Sequence, residues 1–116
     1  MRAFLLLSLF TLSGLAWGEA CVVHSQAERL DVKVCQQNRS IPPNLFRSGF
    51  CQPQMKGQKV AVDFVEQCPT GAFGVCRNAT VGGFYKQDIH YYGVANDANY
   101  LKPFCEKQSK GVWMAR

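Results

Sequence analysis

The side chains of this sequence that could do chemistry are six cysteines and two histidines. No two cysteines are separated by only two to four residues, so neither a zinc site nor a Cys-x-x-Cys redox pair is predicted. An even number of cysteines in a short chain favours three disulfides, and we expect no metal ligands. The residues concerned are Cys21, Cys35, Cys51, Cys68, Cys76 and Cys105, with His24 and His90 as the histidines.

Catalytic motifs are absent from the sequence. It contains no Gly-x-Ser-x-Gly elbow, no P-loop and no dinucleotide-binding fingerprint. A Cys–His nucleophile needs a free thiol, which three disulfides would not leave. The carboxylate pairs Asp63/Glu66 and Asp31/Asp88 are more typical of solvated surface than of acid–base catalysis. We therefore predict no catalytic residue, no cofactor and a protein that is not an enzyme.

A recognition surface is predicted around His90. If Ile89 and Tyr91 face the core of a strand, alternation turns His90 and Tyr92 outward together. An internal repeat, described below, places Lys33 at the position equivalent to His90. An exposed aromatic side chain beside a histidine and a lysine can form a recognition patch. The other interpretation, which the commonness of single exposed aromatic residues favours, is an ordinary second sheet face, partly covered by a loop or a helix.

Residues 1–18 are predicted to be a cleaved signal peptide, which leaves one domain, residues 19–116. Arg2 gives the positive start, Ala3–Leu12 is an almost unbroken apolar run, and Ala16-Trp-Gly18 provides small residues for cleavage. The run is shorter than the about 20 residues of a membrane span, so no stable membrane insertion is expected after cleavage. We expect a periplasmic or secreted protein that begins at Glu19, with Cys21 as the alternative start.

The size and charge of the remaining chain limit its class. It keeps all six cysteines and a net charge of +4, since Arg2 is the only charged residue removed from a chain of +5. A chain of about 100 residues buries only about 65% of its unfolded surface, so crosslinks of roughly 2–4 kcal/mol each matter to its stability. Nucleic acid is not an expected partner, because no run of five or more Lys or Arg is present.

The hydrophobic pattern predicts an α+β fold, a small disulfide-stapled domain of antiparallel strands with two short helices. The first helix is predicted from Ser40-Ile-Pro-Pro43 toward Cys51. The second runs from Asn96 or Asp97 to about Ser109 and is capped by Gly111, and Pro103 should kink it or delay its start. Residues 68–76 are predicted to form a turn. Strands are predicted at 21–25, 30–35, 59–65, 88–92 and 112–113.

Two parts of the sequence match each other. Phe50-Cys-Gln-Pro-Gln-Met-Lys-Gly57 and Phe104-Cys-Glu-Lys-Gln-Ser-Lys-Gly111 share five residues at the same offsets, and Asp31–Cys35 resembles Asp88–Tyr92. Chance is one explanation. The other, which the common order of landmarks favours, is an internal duplication of about residues 21–65 and 76–116.

The duplication predicts how the cysteines pair. Equivalent cysteines should pair alike, which joins Cys21 to Cys51 and Cys76 to Cys105 and leaves Cys35 for Cys68. Strand alternation puts Cys35 on the face of Lys33, whereas Cys68 continues the inward parity of β-strand residue Val62. The main rival is a Cys21–Cys35 bridge across the first hairpin.

The C-terminal half resembles a group of small exported bacterial proteins of uncharacterised function. The shared pattern is Cys68-Pro69, Gly74-Val-Cys76, Tyr91-Tyr92, Cys105 and the ending Lys110-Gly-Val-Trp113. The group has Val-Gly where this chain has Gly-Val, and different residues around the terminal glycine. The resemblance covers about half of the mature chain and implies bacterial export without implying a reaction.

These observations leave three functional hypotheses. The first is an exported, non-enzymatic binding domain for an unknown protein or envelope component, of which an inhibitor or an immunity-type protein is a specific version. The second is a cationic binder of the envelope surface, which a charge near +4 permits. The third is a small hydrolase with an unrecognised site. Adsorption to an envelope polymer should collapse at high salt, whereas a packed protein interface should survive it.

Overall fold

A computed structural model of the chain describes residues 19–27, 30–51 and 59–116. The predicted signal peptide, residues 1–18, lies outside the described residues. Within them, the chain forms six strands and two short helices, and the sheet dominates the α+β architecture predicted above. The strands are β1 (Ala20–Ala27), β2 (Leu30–Asn38), β3 (Lys59–Val65), β4 (Gly74–Val81), β5 (Tyr85–Tyr91) and β6 (Val112–Ala115).

All six strands form one antiparallel sheet in the order β3-β1-β2-β5-β4-β6. One row of directly opposed residues crosses every strand of this sheet. Directly opposed residues point to the same face, so this row fixes the two faces of the whole sheet. The row consists of Phe64, Cys21, Gln36, Ile89, Cys76 and Trp113.

Each half of the chain contributes one short helix with an unusual last turn. Helix α1 is α-helical over Pro43–Leu45 and continues as a π-helical turn over Phe46–Phe50. Helix α2 starts with a 3₁₀ turn, Ala95–Asp97, becomes α-helical over Ala98–Pro103 and ends as a π-helical turn, Phe104–Gln108. Pro103 lies where α changes to π, as expected of a residue that lacks the N–H for an i→i−4 bond.

Three disulfides crosslink the domain: Cys21–Cys51, Cys35–Cys68 and Cys76–Cys105. This is the connectivity that the duplication predicts. Cys21 and Cys76 belong to the same row of the sheet, so both helices pack on one face, which we call the helix face. Cys35 lies opposite Val22 and His90, so its disulfide lies on the other face, the loop face. Three disulfides indicate an oxidising, extracytoplasmic environment.

The rival Cys21–Cys35 bridge is excluded by the register of the first hairpin. Cys21 is opposite Gln36 and Cys35 is opposite Val22, so the two sulfurs leave opposite faces of the sheet. The alternation argument placed Cys35 correctly on the face of Lys33. Cys68 does not continue the parity of β3, because the chain leaves that strand after Val65 and crosses to the loop face.

The two halves have the same topology. In each half, the first two strands form a hairpin and the third strand pairs with the first, which gives the orders β3-β1-β2 and β6-β4-β5. The helix of each half follows its second strand and precedes its third strand along the chain. Cys21 is opposite Gln36, and its counterpart Cys76 is opposite Ile89, so Gln36 and Ile89 are equivalent. They are also each other's partner between β2 and β5. A pseudo-twofold axis therefore passes through this pair.

This axis corrects one detail of the predicted repeat. The register makes Lys86, and not His90, the counterpart of Lys33. The axis also relates two backbone hydrogen bonds to each other. Arg39 N–H donates to the Lys86 carbonyl at 3.2 Å, and Tyr92 N–H donates to the Lys33 carbonyl at 3.3 Å. The repeat alignment of Asp31–Cys35 with Asp88–Tyr92 is therefore shifted by four residues from the structural equivalence. Because four is an even number, the shift preserves the face of each side chain and changes only its neighbours.

Two local predictions also need correction. Residues 68–76 were expected to be a turn, but β4 begins inside this segment at Gly74. Gly111 was expected to cap α2, but the cap is Ser109, and the residue after it, Lys110, is left-handed with φ of 58°. Gly111 is required because a Cβ there would lie 2.6 Å from the Cys76 sulfur and 2.7 Å from the Arg77 carbonyl.

Candidate binding site

The predicted recognition residues lie near the centre of the sheet, at the boundary between β2 and β5. The ammonium group of Lys33 lies 5.2 Å from the centroid of the Tyr92 ring, a cation–π distance. The Tyr92 hydroxyl donates a 2.6 Å hydrogen bond to the carbonyl of Pro69, in the loop that Cys68 anchors to Cys35. The loop therefore covers part of this face, as expected if the face is an ordinary second face of the sheet and not a recognition patch. Burial raises the pKa of Tyr92.

His90 is separated from that contact and lines a shallow cleft on the loop face. The cleft has a volume of about 280 Å³ and is formed by the loop of residues 68–72, His90 and Arg116. Burial lowers the pKa of His90, the nearby carboxylate of Asp88 opposes this effect, and Arg116 adds to it. The structure therefore places His90 in one depression and the Lys33–Tyr92 pair at the edge of another.

The second depression is an apolar groove on the helix face, between β2 and α2. Its volume is about 210 Å³, and Val32, Val34, Tyr91 and Leu101 contribute apolar walls. Tyr100 stands at its edge with 76% of its surface exposed, and Val32 is 39% exposed. Lys33, Phe73, Tyr92 and Asp97 complete the lining. We call this depression the open groove.

The equivalent position in the first half is closed by the chain itself. Ile41, in the connection between β2 and α1, is fully buried there together with Phe46. The buried Asn38 side chain holds Ile41 from both sides: its amide nitrogen donates to the Ile41 carbonyl at 2.7 Å, and its oxygen accepts the Ile41 N–H at 2.8 Å. Tyr91 replaces Asn38 in the second half, and Val94 in the corresponding connection is 64% exposed.

The different winding of the two helices explains the exposure of Tyr100. Phe46 and Tyr100 each precede the disulfide cysteine of their helix by five residues. The π-helical turn of α1, in which Cys51 N–H donates to the Phe46 carbonyl, brings Phe46 to the side of that cysteine. In the α-helical turn of α2 the residue four positions before Cys105 has that orientation, so Leu101 faces the sheet and Tyr100 faces solvent.

The carboxylates considered for catalysis have structural surroundings. Asp88 is buried and accepts hydrogen bonds from the Arg39 guanidinium at 2.6 Å and from the Asn78 backbone N–H at 2.9 Å. It therefore holds the bulge between Cys76 and Ala79, where Asn78 adopts a left-handed conformation. Asp63 and Glu66 are exposed on the edge strand β3 and on the turn that follows it, and the side chain of Asp31 lies outside the described residues.

The described residues contain neither a metal-binding cluster nor a membrane-spanning helix. Over 19–27, 30–51 and 59–116, no group of three or more His, Cys, Asp or Glu side chains is arranged to hold a metal ion. In the same part of the chain, no helix has both the length and the apolar character that crossing a membrane requires.

Of the three residues of the predicted recognition surface, Lys33 and Tyr92 line the open groove, whereas its apolar walls were not predicted from the sequence. Val32, Val34 and Leu101 have the pattern of ordinary core residues, and Tyr100 is one of several aromatic residues of the second half. One signal was available: with the correct repeat register, Asn38-x-x-Ile41 has no counterpart in the second half. Comparison of the chain with protein-family models, curated proteins and solved structures finds no match.

Proposed function

We propose that this chain is an exported binding domain without catalytic activity, which attaches to a protein partner through the open groove. The observation that carries the proposal is the groove itself. An apolar depression with exposed aromatic and aliphatic side chains is typical of a docking site, because its burial against a partner is favourable. An inhibitor or an immunity-type protein of the periplasm is the specific version that we favour.

The framework around the groove suits this role. Its floor is made by β2 and β5, at the centre of the sheet, and α2 is tied to β4 by the Cys76–Cys105 disulfide. Such a preorganised surface loses little conformational entropy on binding, so more of the contact free energy appears as affinity. A Tyr side chain such as Tyr100 gives a large contact area with few rotatable bonds, which is why tyrosine is common at interfaces.

Affinity capture with the oxidised protein, from an envelope and culture-medium extract of the source organism, tests this function. Val32→Trp fills the groove from its rim. Val65→Trp is the matched control, because Val65 is 36% exposed, close to the value for Val32, and lies at the end of β3. We expect one stoichiometric partner that survives 1 M salt, is lost with Val32→Trp and is retained with Val65→Trp.

Two results would count against the proposal. Material that is captured only at low salt would support the cationic envelope binder instead. Recovery of no salt-resistant protein from this extract would remove the binding function in the form proposed.

A further inference from the structure

The first half of the molecule shows what kind of group fits the open groove. The pseudo-twofold axis relates β2 and β5 residue by residue, as the paired hydrogen bonds Arg39–Lys86 and Tyr92–Lys33 demonstrate. The connection that follows β2 therefore corresponds to the connection that follows β5. Both occupy the same place relative to their helix, on the helix face of the sheet.

In the first half, this connection packs on the helix face of the sheet and fills the space beside α1. Ile41 has no exposed surface, and Pro42 and Pro43 follow it into the helix. The backbone N–H groups of Arg39 and Ser40 both donate to the Lys86 carbonyl, and the Ser40 hydroxyl accepts the Lys86 N–H at 2.8 Å. An apolar side chain is thus inserted by a segment that is also hydrogen-bonded to the end of β5.

In the second half, the chain does not provide such a side chain. Gly93 has φ of 107°, a backbone conformation that L side chains rarely adopt, and Val94 and Ala95 after it are exposed. The open groove of about 210 Å³ is left beside α2. For comparison, an engineered apolar cavity of about 150 Å³ is large enough to bind benzene.

We infer that the open groove receives a branched aliphatic side chain from an extended, proline-containing segment of the partner protein, which takes the place that Ile41 and its connection occupy in the first half. This inference rests on the proposed function and specifies the chemistry of its partner. Isoleucine or leucine suits the site because Ile41 fills the equivalent position of the first half. The lining accepts such a group, since it combines the aliphatic Val32, Val34 and Leu101 with aromatic side chains. Tyr100 then closes over the inserted segment from the side of α2.

The test uses a peptide with the sequence of residues 39–46 of this chain, blocked at both ends. It is titrated into the isotope-labelled, oxidised protein and followed by amide chemical shifts. A peptide concentration of about 5 mM is high enough to detect the millimolar affinity that one inserted side chain can give. The control peptide carries the change Ile41→Ala. We expect saturable shifts at Val32, Val34 and Leu101, and at least tenfold weaker binding of the control peptide.

Three results would overturn the inference. The first is the absence of shifts at the groove residues, and the second is equal binding of the two peptides. The third is shifts confined to Phe50 and Tyr85, which pack against the Ile41 cluster and would report displacement of the chain's own segment instead.

Protein variants separate this inference from the proposed function. Val32→Trp should abolish the peptide shifts and Val65→Trp should not. Leu101→Ala, which removes a wall instead of filling the groove, should weaken peptide binding at least fivefold and provides a second readout if Val32→Trp does not fold. If the Val32→Trp variant still captures the partner, the protein is a binding protein, but its binding site is not the open groove. If the peptide binds but no partner is captured, the groove accepts an aliphatic side chain as inferred, and the proposed function is rejected.

Discussion

Asn38 holds Ile41 in the position that is filled in the first half and left open as the groove in the second half. The substitution Asn38→Ala tests this role. The side chain is 2% exposed and makes two short hydrogen bonds with the backbone of Ile41. Its removal leaves the N–H and the C=O of a fully buried residue without these partners. An unsatisfied buried group costs about 1–3 kcal/mol, so we expect the free energy of unfolding to fall by about 3 kcal/mol.

The measurement is urea unfolding of the oxidised protein, followed by far-UV circular dichroism, with hydrogen exchange at the Ile41 amide as a local probe. Asn99→Ala is the control, because Asn99 is an exposed residue of α2 whose replacement should change stability by no more than about 0.5 kcal/mol. The slope against urea should stay unchanged, since both proteins expose the same surface on unfolding. A loss for Asn38→Ala that is no larger than that of the control would refute the role assigned to this side chain.

Three further predictions concern the loop face and the core. Replacement of Cys35 and Cys68 by Ala together should lower the free energy of unfolding by about 3–4 kcal/mol, because the crosslink closes a loop of 33 residues; unchanged thermal stability would contradict this. The lowered pKa of His90 means that the folded state binds the proton less readily than the unfolded chain. Stability should therefore fall as the pH drops below about 6.5, and His90→Gln should flatten this dependence between pH 7 and pH 5. The buried side-chain oxygen of Gln87 has no hydrogen-bond partner among the residues that the structure describes, so Gln87→Met should raise the free energy of unfolding by about 1 kcal/mol in the same urea assay, and a decrease would show that its amide is needed.

The strands with regular alternation could be predicted from the sequence, and the one without it could not. The bounds of β3 are those expected from Val60, Val62 and Phe64, which share the helix face. β4 was missed because the bulge between Cys76 and Ala79 breaks its alternation and puts Asn78 in a left-handed conformation. A bulge depends on partners elsewhere in the chain, here the Asp88 carboxylate, and leaves little trace in the local pattern.

The candidate site was predictable only in part, for a different reason. Alternation correctly put His90 and Tyr92 on the same face, since the face of a side chain depends on its own strand alone. Lys33 was added through the repeat alignment, whose register the structure corrects. The groove depends on the rotation of α2 about its axis, which decides whether Tyr100 or Leu101 faces the sheet. That rotation follows from the choice between an α-helical and a π-helical turn before the cysteine, and hydrophobic periodicity does not record it.

The placement of Cys21 and Cys35 on opposite faces of one hairpin has a consequence for oxidative folding. These are the first two cysteines of the chain, so they are the first pair that an oxidising enzyme meets during synthesis from the N-terminus. Once the hairpin has its native register, their sulfurs point away from each other and this bridge cannot close. The Cys76–Cys105 loop contains no other cysteine, whereas the other two bridges are interleaved. In the first half, formation of the hairpin in its native register therefore prevents the wrong bridge between sequence neighbours, whereas in the second half the native bridge itself joins neighbouring cysteines.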